Sequence, residues 1–89
     1  MPEFEWDDRK SEETRRGFGF EIVHEVDWEF AVLSEVQFLH GEERELWLAP
    51  TPRNLLVVVI VERGRMTRVV SIRTAKQREI ERWRHEINA

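Results

Sequence analysis

The feature that most constrains the fold is an uninterrupted apolar run at residues 55–61, Leu-Leu-Val-Val-Val-Ile-Val. The run has about a third of the length needed to cross a bilayer. Its three consecutive β-branched valines favour a strand over a helix. Turn-forming residues bound it on both sides, at 50–54 and 63–65. The pattern predicts a central strand that is buried on both faces.

Further strands are predicted on either side of this run. Residues 31–39 and 43–49 are rich in Val, Leu, Phe and Trp, and His40-Gly41-Glu42 between them has the character of a hairpin turn. Residues 66–72 follow the turn Arg63-Gly64-Arg65 and complete a meander. The alternation of Phe4-Glu5-Trp6 predicts one more short strand near the start of the chain.

Three segments have the patterns of helices. Residues 7–16 begin with Asp7-Asp8, which can accept hydrogen bonds from a first helical turn, and are followed by Gly17. Residues 20–29 and 75–88 place apolar side chains at helical spacing. We therefore expect one α+β domain over residues 1–89, in the order β-α-α-β-β-β-β-α, with an antiparallel sheet and the helices packed on one face.

Composition excludes several classes of site. The chain has no Cys, which rules out disulfides and Cys-ligated zinc, and its three His lack metal-ligand spacing. We expect neither a metal nor a cofactor. With no signal-like or membrane-spanning segment in the sequence, we also expect a cytosolic protein with no membrane partner.

Charge is divided sharply along the chain. The net charge is −4, but residues 1–50 hold 14 acidic and 5 basic residues, whereas residues 51–89 hold 4 acidic and 9 basic residues. The overall balance argues against binding of nucleic acid by bulk attraction. If the C-terminal basic residues share a face, that face can hold a polyanion.

An ordered set of motifs runs through nearly the whole chain. In order, these are Phe4-Glu5-Trp6-Asp7, Arg16-Gly17, Phe20-Glu21, Gly41-Glu42-Glu43-Arg44, Leu55-Leu56-Val57-Val58-Val59, Glu62-Arg63-Gly64 and Val69-Val70-Ser71-Ile72-Arg73-Thr74-Ala75. In order and spacing they resemble the BrnT family of bacterial toxins, most specifically over residues 55–75. The resemblance implies a RelE-like fold, RNA-cleaving toxin activity and neutralisation by a BrnA-like antitoxin. It also implies that promoter DNA is bound only through the antitoxin complex.

Three positions depart from the family pattern. The family usually has Lys-His-Gly where this chain has Arg15-Arg16-Gly17. It often has a His or an aromatic residue where this chain has Ile60, and commonly a Tyr where this chain has Trp83. The first two departures motivate an alternative to the toxic ribonuclease, a catalytically impaired module that retains antitoxin pairing.

Arg73 is the first candidate for the chemistry that the resemblance implies. Strict strand alternation would place it on one face with Arg65, Thr67, Val69 and Ser71. Guanidinium groups offer paired donors to phosphate oxygens, so this stripe is suited to RNA. The alternative is an ordinary solvated sheet face.

Other candidates lie at turns and strand ends. Glu62 could act as a base beside Arg63, although charges flanking a hairpin are commonplace. Arg53, in the Pro-rich turn, is either a phosphate contact or a solubilising residue. His40 could donate or accept a proton near neutral pH, but a lone turn His is usually just exposed.

Arg44 and the acidic first half complete the candidates. Arg44 alternates with Leu46 and Leu48 on an apparently apolar face, either as an RNA-binding residue or as the partner of Glu42 or Glu43. The acidic residues of the first half are most simply a solvated surface. They are also where we would expect a basic antitoxin segment to bind. This acidic set is Glu12, Glu13, Glu21, Glu25, Asp27 and Glu29.

Overall fold

The computed structural model describes residues 3–89 and contains one five-stranded sheet. Its strands are β1 (Glu3–Glu5), β2 (Val32–Leu39), β3 (Glu42–Pro50), β4 (Leu55–Arg63) and β5 (Met66–Thr74). They lie in the order β1-β5-β4-β3-β2, so β4 is the middle strand of the sheet, as predicted. Strands β2 to β5 form an antiparallel meander, and β1 pairs in parallel with β5. The expectation of a wholly antiparallel sheet was wrong, because residues 6–31 carry the chain from one edge of the sheet to the other.

Short helices connect β1 to β2. Helix α1 (Asp8–Glu13) begins where the Asp7 carboxylate accepts hydrogen bonds from the N–H groups of Arg9 and Lys10. Two 3₁₀ helices follow, at Phe20–Glu25 and Trp28–Phe30. The longer helix α2 (Gln77–Ile87) follows β5, as predicted.

The predicted amphipathic α-helix at residues 20–29 is instead this pair of 3₁₀ helices. Val26 between them is extended, with φ −73° and ψ 134°. The Asp27 N–H donates to the carbonyl of Pro50 at 2.9 Å, and the Asp27 carboxylate accepts from the N–H of Glu29 at 3.2 Å. These bonds to β3 and to the second 3₁₀ helix take the place of an α-helical turn, so tertiary contact overrides the helical spacing.

Helices cover both faces of the sheet rather than one. On the front face, which carries Leu56, Val58 and Ile60 of β4, the core includes Phe20 and Val23 of the first 3₁₀ helix. Alternation places the neighbouring β4 residues on the back face. There α2 packs Ile80 and Trp83 against a second core, made of Leu48, Leu55 and Val57. Because β4 is apolar on both sides, both faces need a cover.

A β-bulge in β5 changes which side chains share a face. Val59 pairs with Ser71 and Ile60 pairs with Val69, so Val70 is an extra residue in β5. Ser71 therefore faces the back of the sheet and Val69 the front. The predicted stripe of five residues on one face was wrong, because strict alternation holds only without a bulge.

Candidate functional site

Three arginines lie together at the open end of the back face, beyond α2. Because Glu45 pairs with Ile60, the neighbouring Arg44 lies opposite Val61, and Arg68 of β5 pairs with Val61 from the other side. Two strand spacings place the Cα atoms of Arg44 and Arg68 about 10 Å apart. Arg63 lies two residues further along β4 on the same face. We call Arg44, Arg63 and Arg68 the arginine cluster.

Two carboxylates on the same face form ion pairs with these guanidinium groups. Glu42 accepts a hydrogen bond from Arg63 at 3.0 Å, and its other oxygen lies 4.0 Å from Arg44. Glu5 of β1 lies 3.7 Å from Arg68. The buried Nε of Arg44 has no hydrogen-bond partner among residues 3–89. The cluster therefore retains a free donor at Arg44, and two carboxylates are shared among its three cations.

Arg73 shares the back face with the cluster but lies at its far end. It pairs with Val57, six residues along β4 from Arg63, which corresponds to about 20 Å. Both terminal nitrogens of Arg73 bond Glu79 of α2 at 2.8 Å, and this bidentate pair lowers the pKa of Glu79 from 4.5 to about 2. Arg73 therefore anchors α2 and cannot contact the same phosphate as Arg63.

Glu62 lies on the front face, opposite to Arg63. Both of its oxygens accept from the Thr67 hydroxyl, at 3.1 and 3.3 Å. Arg65 lies in the turn between β4 and β5 and is exposed. His40 is exposed in the turn between β2 and β3 with a left-handed φ of 51°, two residues before Glu42. Of the predicted proton-transfer residues, His40 is therefore the one near the cluster.

Arg53 lies at the other end of the sheet. It is in the turn that precedes β4, whereas Arg63 ends β4, so about 25 Å of strand separates them. Arg53 lines a cavity of about 400 Å³ together with Arg15 and Arg16. Arg15 is bound there by Glu21 at 2.6 Å, and this bond lowers the pKa of Glu21. The predicted arginines thus divide between two ends of the molecule.

Sequence reasoning missed Arg68 and gave Glu42 only as a partner for Arg44. Arg68 joins the cluster because it pairs with Val61, which lies two residues before Arg63 on the same face of β4. The bulge at Val70 then keeps Arg73 on this face as well. The available signal was the turn Arg63-Gly64-Arg65, because a two-residue loop at Gly64-Arg65 pairs Arg63 with Met66 and places Arg68 two residues further along on the same face.

Neither a metal-binding cluster nor a bilayer-spanning helix is found in residues 3–89. No group of three or more His, Asp or Glu in this range is arranged to hold a metal ion. No helix in it is long and apolar enough to span a bilayer.

A family model matches most of the sequence. Residues 6–79 match the model for the ribonuclease toxin BrnT of type II toxin–antitoxin systems. The chain belongs to the BrnT family. Among curated proteins, no sequence matches the chain at a significant level. A BrnT toxin of a type II system has an antitoxin as its partner, and the resemblance drawn from the sequence motifs is confirmed.

The departures from the BrnT pattern lie outside the arginine cluster. Ile60 is buried in the front core. Arg16 lines the distant cavity beside Arg53. Trp83 donates its indole N–H to the carbonyl of Phe30 at 2.7 Å, so it ties α2 to the segment before β2. None of the three substitutions changes a residue of the cluster.

Proposed function

We propose that this BrnT chain is an endoribonuclease that cleaves RNA without a metal ion, on the back face of its sheet. The observation that carries the proposal is the arginine cluster, in which three guanidinium groups share one face and the buried Nε of Arg44 has no partner within the described range 3–89. Cleavage by attack of the RNA's own 2′-OH needs positive charge on the phosphate in its crowded transition state. Arginine supplies that charge with paired donors.

Proton transfer requires an acceptor for the 2′-OH proton and a donor to the leaving oxygen. Glu42 is our candidate acceptor, because it is the carboxylate in contact with Arg63 and nearest to Arg44. His40, in the same hairpin, is our candidate donor. Glu62, on the other face, and Arg65, in the turn, are assigned supporting roles at most, and Arg53 and Arg73 are candidates for binding RNA beyond the scissile phosphate.

The remaining parts of the proposal concern fold class and partners. We propose a RelE-like fold, a BrnA-like antitoxin, cytoplasmic location, and contact with promoter DNA only through the antitoxin complex. They are supported by the BrnT family match and the α+β architecture.

The test is cleavage of single-stranded RNA by the purified chain and two arginine variants. We expect Arg63→Ala to lower the cleavage rate about 100-fold, the size of effect seen when a transition-state donor is removed. The control Arg9→Ala, which removes an exposed arginine of α1, should leave the rate unchanged. Cleavage should continue in EDTA. An equal rate for Arg63→Ala and wild type, or complete loss in EDTA, would refute the proposal.

A second candidate function is a catalytically impaired module that retains antitoxin pairing. It is favoured by Arg16 and Ile60, which replace the usual family residues. Such a module would bind the antitoxin while RNA stayed intact and growth continued after expression of the chain alone. Growth arrest that Arg63→Ala relieves would exclude it.

A further inference from the structure

The front face of the sheet is left open along its edge strand. Strand β2 has only β3 as a neighbour, and its front-facing apolar side chains are Leu33, Val36 and Phe38. A register shift beside Ser34 keeps Leu33 on the same face as the other two. Phe38 is 75% exposed and Val36 is 41% exposed. Three large apolar side chains in one exposed row suggest a surface that a partner covers.

Carboxylates border this row on its inner side. In the register of the sheet, Phe38 pairs with Glu43 and Val36 pairs with Glu45, and Glu62 follows on β4. Glu43, Glu45 and Glu62 have no Lys or Arg nitrogen within 4.0 Å in the described part of the chain. We call the apolar row and these three carboxylates the docking strip.

Three acidic residues near α1 differ in this respect. Glu13 is paired with Arg9, and both Glu12 and Glu21 are paired with Arg15. The charge of these three is already compensated inside the molecule, whereas Glu25, Asp27 and Glu29 have no Lys or Arg nitrogen within 4.0 Å among residues 3–89. The carboxylates of the docking strip, which also lie beside the apolar row, therefore attract a cation on a partner more strongly than the three paired residues do.

We propose that the docking strip binds a basic amphipathic helix of the antitoxin. This rests on the proposed pairing with an antitoxin. Strands β2 and β3 present a strip about 10 Å wide, and the row from Leu33 to Phe38 is about 17 Å long. A helix of about 11 residues has these dimensions. The apolar side of this helix would pack on the row, and lysines or arginines on one flank would reach the carboxylates. The bound helix would thus extend the helical layer that the 3₁₀ helices form on the front face.

A second copy of this chain is a poorer occupant. Two copies joined strip to strip would bring six like charges together, and like charges across an interface are repulsive. RNA is excluded by the same argument, because its phosphates would meet the carboxylates. The antitoxin helix and RNA therefore occupy opposite faces of the same end of the sheet.

The test measures the affinity of the purified chain for its antitoxin by calorimetry. We expect the double variant Val36→Thr, Phe38→Thr to bind at least about tenfold more weakly, because it removes the apolar anchors. Leu39→Thr is the matched control, since Leu39 is 43% exposed on the same strand but faces the back. It should bind within about twofold of wild type. Unchanged affinity in the double variant, or an equal loss in Leu39→Thr, would overturn the proposal.

The single variant Glu43→Lys, which leaves the apolar row intact, tests the proposal independently if the double variant folds poorly. Glu43→Lys should weaken binding about tenfold at low salt and less at high salt, because the lost attraction is screened. Unchanged affinity at low salt would contradict the proposal. So would sedimentation of the wild-type chain alone as a dimer that Val36→Thr, Phe38→Thr converts to a monomer, since the occupant would then be a second copy.

RNA cleavage by the free chain separates this proposal from the ribonuclease proposal. Loss of antitoxin affinity in the double variant with unchanged cleavage supports both. Strip-dependent antitoxin binding by a chain that cleaves no RNA would refute the ribonuclease alone. Cleavage that depends on the arginine cluster, with antitoxin affinity indifferent to the strip, would refute the docking proposal alone.

Discussion

Single residues of β3 decide which charge each face of the sheet carries. Glu43 and Glu45 face the front, while Glu42 and Arg44 face the back, because neighbouring strand residues alternate. Glu42 is thereby the one carboxylate of this segment that meets Arg63. In the proposed mechanism Glu42 therefore has two separable roles, as an ion-pair partner and as a proton acceptor.

Replacing Glu42 with Gln tests these roles. Glu42→Gln keeps the shape but removes the base, so we expect the RNA cleavage rate to fall about 100-fold. Affinity for RNA should stay equal or rise, because one negative charge leaves the cluster. The control Glu35→Gln removes a carboxylate on the same face that has no arginine within 4.0 Å in residues 3–89. A cleavage rate unchanged in Glu42→Gln would assign Glu42 a purely structural role.

At the level of elements, α2 is held on the back face by contacts at both ends of its first two turns. The Glu79 carboxylate accepts from the backbone N–H of Lys76 at 2.8 Å and from Arg73 of β5. Further along, Arg82 donates to the carbonyl of Ser34 at 3.0 Å, and Trp83 donates to Phe30. These hydrogen bonds therefore help to orient α2, because few of its residues make apolar contact with the sheet.

The pair of Arg73 and Glu79 predicts a pH dependence of stability. In the folded state the pKa of Glu79 is about 2, below the usual 4.5. The stabilisation of the fold by this pair is therefore complete above about pH 4.5 and is lost as the pH falls toward 2. Glu79→Gln should lower the free energy of unfolding by about 1 kcal/mol at pH 7, since the pair is partly exposed.

Urea denaturation at pH 7 and pH 2.5 measures this difference, which should shrink at the lower pH. Glu81→Gln, on the exposed side of the same helix, is the control and should match wild type at both values. A difference between Glu79→Gln and wild type that grew on acidification would contradict the assigned sign.

Across the whole molecule, opposite charges are separated by the thickness of one sheet. The arginine cluster occupies the back face, and the carboxylates of the docking strip occupy the front face at the same end. The proposed binding of RNA to one side is therefore compatible with a net charge of −4.

This separation predicts a shallow salt dependence of RNA binding. Three arginine–phosphate contacts to single-stranded RNA should give a slope of log affinity against log salt of about −2, at about 0.7 per contact. Removing one contact with Arg63→Ala should reduce the slope by about 0.7. A fluorescence titration at several salt concentrations measures both values. A slope that Arg63→Ala leaves unchanged would mean that RNA binds elsewhere.

The sequence by itself determined the strand content, the central position of β4, helix α2 and the BrnT family. These follow from local information: an apolar run bounded by turns, a 3.6-residue period and an ordered set of motifs. It gave contact with Glu42 or Glu43 as one of two alternatives for Arg44, and the structure places Glu42 at 4.0 Å from it.

Only the tertiary structure decided which candidate residues meet. The extra residue Val70 brings Arg68 and Arg73 to one face, which strict alternation would prevent, and the length of β4 separates Arg53 from Arg63. The bond from Asp27 to Pro50 turns a helical pattern into 3₁₀ turns. Each outcome depends on pairing between segments distant in sequence, and the energy of that pairing outweighs local preference by amounts that periodicity does not encode.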